Sequence, residues 1–280
     1  MNQKVILSLS TIPPRFGMLG GSLNSLLNQK RKADEIHVYV PKVYRRFPEH
    51  NFFKPDVPEG VKIKVVDYDY GPATKILPCA LEYRGTNTRI IYCDDDRFAD
   101  PSWLDRIMQC SNERPEDVIV STGMTLQDYG LSIKKQNLTS RAKTVKVKYD
   151  LTYITKRFKQ KILETITRKP QIKPARCRYD TSGYVDFALG MGGVSVKPDF
   201  FDDAFFDIPE ILWSVDDIWL SGNFTRQGRG IWASNKIKMP VHTGASDVSG
   251  LADTIIEGHD RNKSDMACIS YFRNMYGIWE

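Results

Sequence analysis

The chain lacks the pieces that several protein classes require. Its five cysteines (Cys79, Cys93, Cys110, Cys177 and Cys268) are scattered and odd in number, and no CxxC pair occurs. Neither a zinc ribbon nor a disulfide framework is indicated, and a reduced, cytosolic compartment fits best. No stretch approaches the roughly 18 apolar residues of a membrane-spanning helix, so a soluble or at most peripheral protein is expected. The opening MNQKVILSLSTIPPRF is too polar, and its apolar part too short, for a signal peptide. It reads instead as a first strand running into a Pro-Pro turn. The chain has no internal repeat and no low-complexity tract.

What is present is a core and an uneven charge. Of 280 residues, 41% are hydrophobic, with 13 Tyr, 13 Phe and 5 Trp, enough for one large α/β domain carrying an insertion. The formal charge of +6 splits into +13 over residues 134–178, with 15 Lys and Arg against Asp150 and Glu164, and −7 elsewhere. Such a segment suits an anionic partner: nucleic acid, acidic polymer or anionic lipid.

Hydrophobic periodicity predicts strands over residues 5–10, 35–40, 61–66, 89–93, 117–121 and 185–189, with helices over 22–27 and 76–83 and another starting near Trp213. That alternation gives a mostly parallel sheet flanked by helices. Within the basic segment, Leu151, Ile154, Phe158, Ile162 and Ile166 recur at helical spacing among Lys156, Arg157, Lys159, Lys161, Arg168 and Lys169. This is an amphipathic basic helix, which either packs its stripe on the core or meets an anionic surface.

The most informative feature is Asp94-Asp95-Asp96, placed where the buried run Ile90-Ile91-Tyr92 ends. Open α/β sheets bind ligands at the carboxyl ends of their strands. Three adjacent carboxylates repel one another unless a cation neutralises them, and Mg²⁺ or Mn²⁺ suits oxygen ligands. Asp100-Pro101 looks like a helix N-cap with Pro at the first helical position, so the triplet is not needed for capping. Further on come Gly190-Met-Gly192-Gly193 ahead of a strand, Asp216-Asp217 at a helix start, and His242 in PVHTG. The glycine cluster has neither GxGxxG nor GxxxxGK(S/T) spacing. Ser214 and Asp217 also have the spacing of a capping box, a purely structural alternative for that acid.

In this order (ILSLSTIPPRF, YCDDDRF, LGMGGVSV, SVDDIWLSG, PVHTG) the motifs resemble the GT-A glycosyltransferases, with a flavour of bacterial capsule and lipopolysaccharide enzymes. The resemblance covers roughly residues 1–125 and 180–245, so the expectation is one GT-A domain over 1–280 with residues 134–178 as a basic helical insert. It implies a nucleotide-sugar donor, UDP-linked by base rate alone, a glycan or lipid-linked glycan acceptor, and Mn²⁺ or Mg²⁺. Asp96 would ligate the metal with His242, and Asp94 would contact the ribose, the metal or both, with Asp95 beside them. Thr11, Ile12, Pro13 and Arg15 would form the nucleoside pocket, closed by Asp67 and Tyr68. Lys75 would meet the diphosphate, and Gly192 and Gly193 would line the loop between donor and acceptor. Asp217, or its neighbour Asp216, would be the general base of an inverting transfer; in a retaining enzyme it would hold a sugar instead. A nucleotidyltransferase usually carries a glycine-rich basic loop after its first strand, where this chain has Pro-Pro-Arg. A polyanion-binding protein built on the basic insert is the non-catalytic alternative, although few aromatics are interleaved there for base stacking and no nucleic acid is expected.

Overall fold

The computed structural model describes residues 3–50, 53–132, 140–169, 171–249 and 261–280. Residues 134–139 and 170 of the basic insert therefore lie outside the described residues.

Among the described residues, eight strands form the central sheet. In chain order they are β1 (Lys4–Ser10), β2 (Glu35–Pro41), β3 (Val61–Val66), β4 (Thr88–Tyr92), β5 (Val118–Val120), β6 (Gly183–Val185), β7 (Val194–Val196) and β8 (Ile231–Ala233). Their spatial order is β6-β8-β5-β7-β4-β1-β2-β3. β1 pairs in parallel with β2 and β4, β2 with β3, and β5 with β8. β7 runs antiparallel between β4 and β5, and β6 antiparallel beside β8. The mostly parallel α/β sheet expected from the sequence is thus present, with two strands reversed.

Period-two alternation divides the core into two layers. Ile6, Ile90, Tyr92, Val118, Val120, Val194 and Val196 pack on one face of the sheet. Val5, Leu7, Leu9, Ile91, Cys93 and Ile119 pack on the other. β4 is buried along its whole length, so its apolar stretch Ile90-Ile91-Tyr92 reads as continuous rather than alternating, and Thr88 and Arg89 are buried with it. Burying each large aliphatic side chain here contributes about 1.5–3 kcal/mol.

The helices are α1 (Gly20–Leu27), α2 (Leu77–Glu82), α3 (Trp103–Glu113), α4 (Leu151–Thr167), α5 (Asp216–Arg226) and α6 (Arg261–Tyr276). Three local expectations need adjustment. The strand expected over 185–189 is broken at Asp186, whose carboxylate accepts from Leu126 N–H (2.9 Å) and from Arg141. Phe187–Ala188 then leaves the main sheet to pair with Gly123–Met124. Asp100 stands ahead of the N-cap position of α3, which Ser102 occupies; its carboxylate accepts from Ser102 N–H (3.1 Å), closing the turn into the helix. At α5 the N-cap position is Val215, and no side chain caps it. The five cysteines are all free thiols.

The basic insert leaves the sheet through Lys143–Thr144, which pairs with Tyr179–Thr181. It returns through Arg176–Cys177, paired antiparallel with Lys238–Met239. Between them stands α4, in which no residue is buried. Among the described residues no helix is long and apolar enough to cross a membrane.

Candidate active site

A cleft of about 490 Å³ opens at the carboxyl ends of β1 and β4. Its position is a consequence of the topology, because loops leaving adjacent parallel strands diverge there and expose backbone and side chains to one crevice. From β1 come Thr11, Ile12 and Arg15; from the turn before α2, Lys75; from β4, Asp94, Asp95 and Asp96; from the start of α5, Asp216 and Asp217. His242 completes one wall, carried by Val241–His242, which pairs antiparallel with Arg97–Phe98 directly after the acid triplet.

The three aspartates have different partners. Asp94 Oδ1 meets Lys75 Nζ at 2.6 Å. Asp95 is held between β1's loop residues: Thr11 Oγ1 donates to one carboxylate oxygen (2.6 Å) and Arg15 Nη1 to the other (2.7 Å). Burial pushes the Asp95 carboxyl up to about 6, against the pull of Arg15 and Thr11. Asp96 Oδ2 lies 3.3 Å from Arg15, and its Oδ1 lies 3.1 Å from Arg97 Nε. That second approach is a charge contact without hydrogen-bond alignment, because Asp96 Oδ1 is buried with no hydrogen-bond partner among the described residues.

Lys75 ties the triplet to α5. Its ammonium is 2.6 Å from Asp94 and 2.7 Å from Asp216 Oδ2, and only 5% of the residue is exposed. Burial pulls its pKa down, but Asp216, Asp94 and Asp217 overcome that and hold the group well above the usual lysine range. Burial also pushes Asp94 upward, and here Lys75 wins, keeping its carboxyl below the ordinary value. Asp217 Oδ1 accepts the Gly190 N–H at 2.9 Å. The acid of the Ser214/Asp217 pair is therefore turned toward the glycine loop.

Gly190 itself has no room for a side chain, since a Cβ there would meet Lys75 Nζ at 2.3 Å and Asp94 Oδ1 at 3.0 Å. Gly192 and Gly193 do not line the cleft. The Gly192 carbonyl accepts from Trp103 Nε1 (3.0 Å) and Ser121 Oγ (2.6 Å), and Gly193 has φ +83° against the Trp103 ring. Both serve the packing of α3 on β7. Pro13, Asp67 and Tyr68 also fall outside the lining. Asp67 is exposed and pairs with Lys42, and Tyr68 packs on Tyr70 with ring centroids 4.6 Å apart.

The cleft is also lined by residues that the sequence motifs did not single out: Tyr44, Arg46, Asp69 and Trp213. Asp69 accepts from Arg45 N–H (2.9 Å) and Gly71 N–H (2.8 Å), and burial raises its carboxyl. Trp213 Nε1 donates to the Asp69 carbonyl (2.8 Å), and Gly71 at φ +60° lets the Trp213 backbone and ring approach closely. The signal was Asp69-Tyr-Gly71, an Asp two residues before a glycine, which marks an Asx-type turn. The neighbouring Asp67-Tyr68 lacks it.

Among the described residues, seven aspartates and four cations (Arg15, Arg46, Lys75 and Arg97) line the cleft. Among the described residues no three His, Cys, Asp or Glu side chains make a ready metal cluster. The donor set nonetheless fits a hard divalent cation: the lining has an excess of carboxylate, and Asp96 presents a buried oxygen that lacks a hydrogen bond. Burial and the nearby Arg97 guanidinium lower His242, which keeps its imidazole neutral and able to donate a lone pair.

No protein-family model matches the sequence, and none of the curated proteins does. Solved structures do resemble it. TarS of S. aureus (residues 1–349) aligns over 96% of this chain and 71% of its own, at 12% identity and a TM-score of 0.45. GalNAc-T7, solved with UDP, GalNAc and Mn²⁺, aligns over 98% of this chain at 10% identity and a TM-score of 0.53. The chain spans about half of that protein, 49% of its length. The fold is that of the GT-A glycosyltransferases, an α/β sheet with its cleft at the carboxyl ends of the parallel strands.

Proposed function

We propose that the protein is a glycosyltransferase that moves a sugar from a nucleotide-sugar donor, UDP-linked in this reading, to a glycan or lipid-linked glycan acceptor. The observation that carries the proposal is the linkage Asp94–Lys75–Asp216, which joins the acid triplet to the acid pair of α5 across one cleft.

The chemistry needs three things. A leaving diphosphate must have its charge stabilised, an acceptor hydroxyl must lose a proton, and both must be held against one anomeric carbon. Lys75 supplies a permanent positive charge beside the triplet. Asp94 and Asp96, with His242, are the residues that would hold Mn²⁺ or Mg²⁺, which when bound acts as a Lewis acid toward the diphosphate. Two or three protein ligands suffice for such an ion, since Mg²⁺ keeps waters and substrate phosphates in its shell. Asp95 is reserved for Thr11 and Arg15 and so fixes the loop after β1.

Thr11, Ile12 and Arg15 supply one side of the nucleoside pocket, and Tyr44 and Asp69 replace Tyr68 and Asp67 on the other. Asp217 is the proposed general base. Asp216 is 4% exposed and bound to Lys75, while Asp217 is more open and oriented by Gly190 N–H, the better arrangement for taking a substrate proton. GalNAc-T7, of the same fold, was solved with UDP, GalNAc and Mn²⁺, which supports a nucleotide-sugar donor with a divalent ion here. An anionic membrane surface facing residues 134–178 belongs to the same reading of the acceptor.

The test is calorimetric titration of UDP and GDP, each with Mn²⁺, Mg²⁺ or EDTA, on the wild type and Asp96→Ala. Metal-dependent binding of one nucleotide, lost in the variant, is the expected result. Absence of binding by either nucleotide in every condition overturns the proposal.

A further inference from the structure

Helix α4 is turned inside out. Its half-buried side chains are Tyr153, Arg157, Gln160 and Glu164, spaced four, three and four residues apart and so on one face. That polar face is the one fastened to the rest of the chain. Gln160 Nε2 donates to the Gln171 carbonyl (2.7 Å), Gln171 N–H donates to Glu164 Oε1 (3.1 Å), and the Arg176 guanidinium lies 5.6 Å from the Tyr153 ring centroid. The opposite face carries Leu151, Ile154, Phe158, Ile162 and Ile166, exposed by 75%, 41%, 66%, 45% and 74%. An amphipathic helix on a protein surface ordinarily does the reverse, burying this stripe in the core.

The apolar row has cationic borders. At 100° per residue Lys159 and Lys161 flank it on either side, and Lys156 lies just beyond. Val147 and Tyr149, before the helix in the chain, and Ile172, after it, are likewise exposed, by 54%, 67% and 55%.

We propose that α4 lies in the headgroup plane of an anionic lipid bilayer, with Phe158, Ile162 and their apolar neighbours sunk into the acyl boundary and the flanking lysines on lipid phosphates. Aliphatic side chains between lysines match that interface in both polarity and charge. A second copy is disfavoured as occupant, because it would set one +13 segment against another. Nucleic acid would satisfy the lysines and leave the aliphatic row in water. The remaining charge of −7 is repelled by the same lipids, which leaves the insert as the part that faces the bilayer.

This orientation bears on the cleft. The returning arm of the insert, Arg176–Cys177, pairs with Lys238–Met239, two residues before the Val241–His242 wall. An insert seated through α4 is thus tethered to that side of the cleft, where a lipid-linked acceptor would present its glycan. This last step alone rests on the glycosyltransferase reading; the docking itself does not.

The experiment is co-sedimentation of the full chain, without nucleotide, with vesicles of phosphatidylcholine alone or mixed with phosphatidylglycerol, at low and high salt. The expected result is pelleting with the anionic vesicles only, weakened at high salt. Phe158→Glu/Ile162→Glu should abolish pelleting without changing the circular dichroism, and each Lys→Gln at 156, 159 or 161 should weaken partition about fivefold. No pelleting of the wild type with anionic vesicles at low salt overturns the proposal. So does undiminished pelleting of the double variant, or a wild-type dimer in light scattering that the double variant converts to monomer. UDP binding, measured separately, reports on the donor site without touching this result.

Discussion

Lys75 Nζ stands 2.6 Å from Asp94 Oδ1 and, on its other side, meets Asp216, so one buried ammonium spans the two acidic motifs of the chain. Removing it takes the nearest counter-charge from both carboxylates. Lys75→Met is expected to cost about 3–5 kcal/mol of unfolding free energy in urea at pH 7, because breaking a buried pair leaves an uncompensated charge. Adding Asp216→Asn should restore part of that loss, giving a non-zero coupling in the double-mutant cycle. Independent, additive losses would sever the two motifs. The raised lysine pKa keeps this contribution whole below the ordinary lysine value, and it fades only as pH climbs through the raised one.

Asp217 and Asp216 should separate kinetically. Asp217→Asn is expected to lower the rate of sugar transfer by roughly 10²–10⁴-fold while UDP binding stays within a factor of a few, as removal of a general base does. Equal activity of Asp217→Asn and wild type would move the base elsewhere.

The glycine loop offers a matched pair of substitutions. Gly190→Ala puts a methyl 2.3 Å from Lys75 Nζ, which Asp94 and Asp216 hold in place, so activity and stability should fall together. Gly193→Ala must hold φ +83° and meets the Trp103 ring at 2.2 Å, so it should lower stability by about 1–3 kcal/mol through strain and overpacking. Thermal unfolding of both variants beside a transfer assay distinguishes the two roles; a Gly193→Ala as stable as wild type contradicts the packing assignment.

Far from the cleft, Glu35 pairs with Lys4 and Lys62 and accepts a hydrogen bond from His37, and the two lysines, Lys4 foremost, hold its carboxyl well below the usual range. A depressed carboxylate contributes stability that is present above its unfolded pKa and lost as pH falls through the folded value. Glu35→Gln should therefore be less stable than wild type by on the order of 1 kcal/mol at pH 7. The two should converge as pH is taken well below the ordinary carboxylate range. A gap that persists in acid would assign the effect to packing rather than charge.

Much of this was legible in the sequence because it is local. The apolar stretch Ile90-Ile91-Tyr92 of β4 made the acids after it stand out, and alternation marked β2 and β3. The placement of Asp94, Asp96, Lys75, Asp217 and His242 around one crevice obeys the rule that parallel strands open their carboxyl ends to ligands. What only tertiary structure decided is which member of each look-alike pair faces inward. Asp69 rather than Asp67 lines the cleft because its carboxylate closes a turn onto Gly71, and Gly190 rather than Gly192 or Gly193 approaches Lys75 because the space around the other two is filled by Trp103, Ser121 and Thr122. The direction of α4 was likewise invisible. Helical periodicity reports that an apolar face exists, and only the contacts of Gln160, Glu164 and Arg176 determine that it is the polar face which meets the protein.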